Sequence, residues 1–360
     1  MEKKNIPKGA LSLSKGVKQP PSVNPNYYRK KRPDFTDSEY IEGILNGDRI
    51  ILSRAITIIE SNLPADMKQA QKIIEACLPY TGKSIRIGIT GVPGVGKSMF
   101  IESIGTYLIQ SGHKLAVLAI DPSSERSKGS ILGDKTRMEN LSSQANAFIR
   151  PSSSSGTLGG VARKTRESIL LCEAAGYDII FVETVGVGQS ETTVRSMVDF
   201  FLLLMLSGAG DELQGIKRGI MEMADMFVIT KADGLNAENA QRAAAEYKSA
   251  IHMFPMPESE WIPRVLTCSS LKNIGMEQIW AEIMDYKNHT SRNNFFNTYR
   301  NRQSLYWMNE TIKDTLNVHF YGDTEIQEQL TRMQDDVLQN KISPFTAAQN
   351  ILNSYFNRKM

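Results

Sequence analysis

The hydrophobic rhythm of the chain changes twice. Between residues 37 and 60, Ile41, Ile44, Leu45, Leu52, Ile56 and Ile59 recur at spacings of three and four with charges between them, which predicts two short amphipathic helices interrupted near Gly47. A further helix is expected over 66–78. Short apolar runs ending in turn residues then take over, the mark of strands alternating with helices around a largely parallel sheet. Strands are predicted at 85–90, 115–120, 148–150, 179–182, 226–230 and 265–267. Past residue 276 the strand pattern stops. Helical spacing returns in Trp280, Ile283 and Met284, and again over 305–312, 326–338 and 345–356. The expected fold class is α/β, a mostly parallel sheet flanked by helices, with helical extensions at both ends. The expected divisions are a basic tail over 1–36, a helical segment over 37–80, the core domain over 81–285 and a helical extension over 286–360.

Composition narrows the picture. A chain of 360 residues, 41% hydrophobic and 22% charged, is long enough for one sizeable α/β core. The net charge is +3. Lys3, Lys4, Lys8, Lys15, Lys18, Arg29, Lys30, Lys31 and Arg32 face only Glu2 at the start of the chain, so the rest is acidic. That balance argues against a nucleic-acid partner, leaving the run Arg29 to Arg32 as a solvated tail. Pro7, Pro20, Pro21, Pro25 and Pro33 disfavour a helix there, and the tail is expected to be disordered. Cys77, Cys172 and Cys268 are far apart and form no C-x-x-C pair, which fits a reducing cytoplasm and suggests neither a disulfide framework nor a thiolate metal site. The apolar run over 200–206 is far too short to span a membrane, so no membrane partner is expected.

Candidate chemistry begins where the first core strand ends. Gly91, Val92, Pro93, Gly94, Val95, Gly96, Lys97 and Ser98 satisfy G-x-x-x-x-G-K-[ST] between a predicted strand and a predicted helix, the context the mechanism requires. The glycines let backbone N–H groups wrap a phosphate at the helix N-terminus. Lys97 is expected to bridge β- and γ-oxygens and Ser98 to ligate Mg²⁺. Nucleotide binding is assigned to the whole stretch from Gly91 to Met99.

Acidic residues stand at the ends of neighbouring strands. Asp121 closes the second core strand at the sheet edge where ligands of such folds bind. Asp134, in a polar stretch rich in Ser and Gly, reads either as a switch ligand to Mg²⁺ or as an ordinary helix cap. Glu183 ends another buried strand with Gly186 three residues on, a D-x-x-G pattern with Glu for Asp. In that reading Glu183 holds the metal through water and the Gly186 N–H senses the γ-phosphate. Gln189 reads equally as a water-positioner and as a polar loop residue.

A base-reading segment follows at Thr230, Lys231, Ala232 and Asp233, a near match to N-K-x-D. The Asp233 carboxylate accepts from the N1 and N2 donors of guanine while the Lys231 stem covers the ring. Adenine leaves that carboxylate unpaired, so guanine is expected to be preferred. Thr230 lacks the amide that ties this loop to the phosphate loop, a loss expected to lower affinity rather than specificity. Cys268, Ser269 and Ser270 stand where a second base-contacting loop is expected.

Residues 91–98, 121–124, 129–138, 183–191, 208–220 and 231–234 together resemble the GTPases that chaperone cobalamin-dependent acyl-CoA mutases, known as MeaB in bacteria and MMAA in mitochondria and formerly as ArgK or transport kinases. The resemblance implies a SIMIBI-class P-loop GTPase, a homodimer formed through the C-terminal helices, and GTP turnover to GDP that gates adenosylcobalamin loading onto a methylmalonyl-CoA mutase-type partner and protects it. It also implies that 208–220 form an additional switch carrying Asp211, Glu212 and Lys217, although the same residues read as an ordinary loop and helix start. Lys97, Glu183, Gln189 and Lys217 are the catalytic candidates, and Ser98, Asp121, Asp134 and Glu183 the Mg²⁺ ligands. Thr230, Met99 and Lys128 depart from the family pattern.

Other classes fit less well. A nickel metallochaperone GTPase needs Cys and His donors, and His113, His252, His289 and His319 lack ligand spacing. A small-molecule kinase needs an acceptor pocket with a general base that no motif supplies. A signal-recognition-type GTPase calls for a Met-rich binding module, whereas the 16 methionines are dispersed.

Overall fold

A computed structural model describes residues 35–120, 138–151, 158–184, 190–208 and 218–359. The basic N-terminal run and the candidates Asp121, Asp134, Gly186, Gln189 and Lys217 lie outside them. Residues Asp37–Met360 make one compact unit. Among the described residues no helix is long and apolar enough to cross a membrane.

The core is a seven-stranded sheet of β1 (Ile85–Gly91), β2 (Leu115–Ile120), β3 (Ala147–Pro151), β4 (Ile179–Thr184), β5 (Phe200–Met205), β6 (Met226–Ile229) and β7 (Arg264–Thr267). The strands run in the order β3-β2-β4-β1-β5-β6-β7, and all pairings are parallel. Every residue of β1, β2, β4, β5 and β6 is buried. Helices on both faces of a parallel sheet produce that burial, and it explains why these strands read as continuous apolar runs. From β1 the chain passes over β4 to reach β2, and from β4 it returns past β1 to β5. The carboxyl end of β1 is therefore where the winding direction changes, the place ligands occupy in open α/β sheets.

Two core elements escape the sequence pattern. The run Phe200, Phe201, Leu202, Leu203, Leu204 and Met205 is a central strand, paired with both β1 and β6. With both faces buried it has no period-two alternation to betray it. The helix Leu158–Ala174 buries Val161, Ala162, Thr165, Ser168, Ile169, Leu171 and Cys172. Small and polar residues make up much of that face, so its apolar stripe is faint.

The N-terminal helices are α1 (Asp37–Leu45), α2 (Arg49–Glu60) and α3 (Pro64–Cys77). The break near Gly47 has a clear cause. Gly47 takes φ +74°, and Asp48 caps α2 by accepting from the N–H groups of Ile50 and Ile51 at 2.8 and 3.1 Å, worth about 1 kcal/mol. Both α2 and α3 pack on the helix Leu158–Ala174.

At the other end, Met276–Arg292 crosses the expected boundary at residue 285 and buries Ile279, Ile283 and Tyr286 against the core. The long helix Phe295–Tyr321 is docked through its first half. The Tyr299 hydroxyl donates to the Arg195 carbonyl at 3.0 Å, Gln303 Nε2 to the Val198 carbonyl at 2.7 Å and Trp307 Nε1 to the Ser196 carbonyl at 3.0 Å. Helices Thr324–Leu338 and Pro344–Lys359 pair around a small cluster of Ile326, Ile351 and Tyr355.

Candidate functional site

The phosphate loop leaves β1 at Gly91 and enters the helix Lys97–Gln110. A Cβ on Gly91 would lie 2.6 Å from the Leu204 carbonyl oxygen, so only glycine lets β1 end this close to β5. Gly96 caps the helix in the left-handed region, φ +96°, with nothing within 4 Å of a built Cβ. Backbone conformation, not crowding, selects glycine there. Val95 is fully buried and pins the loop to the core, while Pro93 and Gly94 are exposed. No acidic residue stands in the first helical turn, leaving its free N–H groups and positive dipole end open to an anion.

Lys97 Nζ donates to the Gly91 and Val92 carbonyl oxygens at 2.7 and 3.3 Å. Burial lowers its proton affinity, and the nearby carboxylates of Glu183 and Glu191 act against that shift. Ser98, beside it, is half-buried, and Met99 faces solvent at 54% exposure.

Glu183 sits in β4 between two neighbours, in register with Ile89 of β1 and Ala119 of β2. It is buried at the carboxyl end of the sheet. The next residue, Thr184, donates its hydroxyl to Thr90 Oγ1 at 2.7 Å, joining β4 to the strand that carries the phosphate loop. Glu191, buried in the short helix Ser190–Arg195, joins Glu183 as a charge felt by Lys97. Motif reasoning had given it no separate role.

The base-reading loop is tied to the phosphate loop, contrary to the expectation drawn from Thr230. Its buried hydroxyl donates to the Val95 carbonyl at 2.8 Å and lies 3.2 Å from that of Met205. A short hydroxyl makes the connection expected of a longer amide. Lys231, at φ +56°, adds a second tie by donating from Nζ to the Gly94 carbonyl at 2.9 Å. Asn236 Nδ2 holds the Lys231 carbonyl at 2.8 Å, and Ser207 Oγ donates to Asn236 Oδ1 at 2.7 Å.

Asp233 is oriented by the second loop. Ser269 donates its hydroxyl to Asp233 Oδ2, and the Lys272 N–H donates to Ser269 Oγ at 3.2 Å. The backbones interlock: the Ala232 N–H donates to the Cys268 carbonyl and the Cys268 N–H to the Ile229 carbonyl, both at 2.9 Å. Burial pushes the Cys268 thiol up to about 12, so Cys268 contributes through its backbone. The fold thus brings 91–99, Glu183, 230–233 and 268–270 together at one edge of the sheet.

A family model described as methylmalonyl Co-A mutase-associated GTPase MeaB matches residues 52–325. The chain belongs to the MeaB family. It is a P-loop GTPase, and relatives agree along nearly their whole lengths. A putative GTPase of Caulobacter vibrioides is 47% identical over 312 residues, 87% of this chain and 95% of that one. The GTPase ArgK of Escherichia coli is 44% identical over 318 residues, 88% and 96%. The mitochondrial methylmalonic aciduria type A homolog of Mus musculus is 44% identical over 338 residues, 91% and 81%. The crystal structure of an LAO/AO transport system kinase superposes with a TM-score of 0.71 at 38% identity, covering 90% of this MeaB-family chain and 98% of its own.

Proposed function

We propose that this MeaB-family GTPase uses Mg·GTP binding and hydrolysis to gate adenosylcobalamin loading onto a cobalamin-dependent acyl-CoA mutase of the methylmalonyl-CoA mutase type, and to protect that enzyme. The observation that carries the nucleotide half is the pair of ties from Thr230 to Val95 and from Lys231 to Gly94, which make base reader and phosphate cradle one unit. The mutase half rests on membership of a family named for that association.

In this reading the 91–99 backbone receives the phosphates, and Lys97 exchanges the carbonyls of Gly91 and Val92 for phosphate oxygens. Asp233, held by Ser269, accepts from the guanine edge, and the Lys231 stem lies over the ring. Ser98 and Glu183 are hard oxygen donors at one sheet edge, a set that suits Mg²⁺. Asp121 and Asp134 complete the proposed ligands. The metal neutralises charge on the β- and γ-phosphates. Gly186, Gln189 and Lys217 are assigned to sensing the γ-phosphate, placing water and relaying nucleotide state.

A second copy of the chain is the proposed partner of the C-terminal arm. Ile312, Leu316 and Val318 are 50%, 56% and 73% exposed, and Phe345 and Phe356 are 86% and 54% exposed. Contiguous apolar exposure of this kind marks an interaction surface. The proposed setting is the cytoplasm, alongside the mutase.

Intrinsic hydrolysis is expected to be slow and to rise on adding a purified cobalamin-dependent mutase, because the assigned groups include no arginine finger. Phosphate release measured with and without the mutase tests this, and an unchanged rate overturns the partner assignment.

A further inference from the structure

At the opposite end of the sheet from the nucleotide site, the amino ends of β1 and β5 meet in a buried charge cluster. Arg86, its side chain 4% exposed, pairs with Glu173 through Nε to Oε1 at 2.8 Å and Nη2 to Oε2 at 2.9 Å. Glu173 also accepts from Ser84 Oγ at 2.5 Å and the Gly82 N–H at 2.9 Å. Asp199 accepts from the Arg86 N–H at 2.8 Å and from Arg300 Nε and Nη2 at 2.7 and 2.6 Å. Arg300 spends its remaining donors on the Gly82 and Ser84 carbonyls, each at 2.7 Å. These two carboxylates are thus heavily engaged.

Arg166 belongs to the same cluster. It lies two helical turns before Glu173 on the helix Leu158–Ala174, a spacing that returns to the same face. Burial, then the Arg86 charge, pulls its guanidinium down to about 9, with Glu173 and Asp199 opposing and Arg300 adding to the depression. It remains protonated near neutrality. Three guanidinium groups therefore share two carboxylates. Arg86 Nη1 and Arg166 Nη1 are both sealed from solvent and have no hydrogen-bond partner among the described residues. Buried polar groups are nearly always satisfied, and an unbalanced buried charge is strongly unfavourable.

We propose that Arg86 Nη1 and Arg166 Nη1 hold a small halide-class anion, chloride under ordinary conditions. It balances the excess positive charge and completes both guanidinium groups. Size follows from the enclosure: both nitrogens are shut off from solvent, which suits a monatomic ion and leaves no room for a phosphate-sized one. Its role is structural, stabilising β1 and the helix Leu158–Ala174 where the C-terminal arm docks through Arg300.

The test is thermal unfolding of the full chain at constant ionic strength, replacing sodium gluconate stepwise with sodium chloride or bromide. The expected result is a saturable rise in Tm of at least about 2 °C, as for a ligand binding only the folded state. Arg166→Met removes the excess charge and is expected to abolish the halide dependence, with Arg166→Gln as the alternative should the first variant not fold. Crystals grown in bromide should show an anomalous peak in contact with both Nη1 atoms. Equal Tm values for the wild-type chain across gluconate, chloride and bromide overturn the proposal. So does bromide seen only at the surface, and so does water at the two nitrogens with no halide effect.

Discussion

Asp233 is an acceptor-only group when ionised, and Ser269 already occupies one of its oxygens, so what it selects in a base is a pair of donors. Replacing the carboxylate by an amide turns one acceptor into a donor and suits the 2-carbonyl of xanthine. Asp233→Asn is expected to weaken GTP by roughly a hundredfold and to favour xanthosine triphosphate, read by competitive binding of the two nucleotides. Thr230 acts at one remove. Thr230→Val keeps the volume but removes the hydrogen bond to the Val95 carbonyl, leaving that acceptor unsatisfied at about 1–2 kcal/mol. GTP affinity should fall roughly tenfold with guanine preference intact, whereas an unchanged affinity in titration calorimetry would show that the tie does not matter. The Asp and Lys of this loop were legible in the sequence because base chemistry demands them. The Thr230 contact was not, since it depends on how closely β6 and the phosphate loop approach in space.

Among the elements, the helix Phe295–Tyr321 depends on one buried pair. Arg300→Leu leaves Asp199 with Arg86 as its remaining basic neighbour, and breaking such a buried pair costs about 3–5 kcal/mol. The expected readout is a drop in Tm together with faster proteolysis within the C-terminal helices. Acid should act on the same joint. Burial works to raise Asp199 and Glu173, but the bonds from Arg300 and Arg86 respectively outweigh it and hold both below their ordinary values of 3.8 and 4.5. Each therefore binds fewer protons folded than unfolded. The stability they contribute is present above those ordinary values and is lost as pH falls through the lower folded ones. Unfolding followed by circular dichroism should show an acid transition that Arg300→Leu shifts to higher pH. Strands bounded by turns, such as β1 and β2, were legible because their flanks carry glycine and polar residues. β5 was not, because a strand buried on both faces and a short core helix look alike in an apolar run.

Across the whole molecule, β1 links two sites of opposite charge logic: an anion cradle at its carboxyl end and a guanidinium cluster at its amino end. The phosphate loop, the acid at the end of β4 and the base loop could be read as motifs in the sequence, since each performs a step that few residue types can perform. How they assemble, with Glu183 flanked by β1 and β2 and Thr230 against Val95, is set by strand order, which no local pattern encodes. The same sheet edge gathers every described nucleotide candidate, so the account stands or falls on what binds there. Titration calorimetry of the full chain with GTP and ATP in the presence of Mg²⁺ is the direct measurement. The account predicts stoichiometric GTP binding at least about a hundredfold tighter than ATP, abolished by Lys97→Ala. Equal affinity for ATP, or no association with guanine nucleotides, would contradict it.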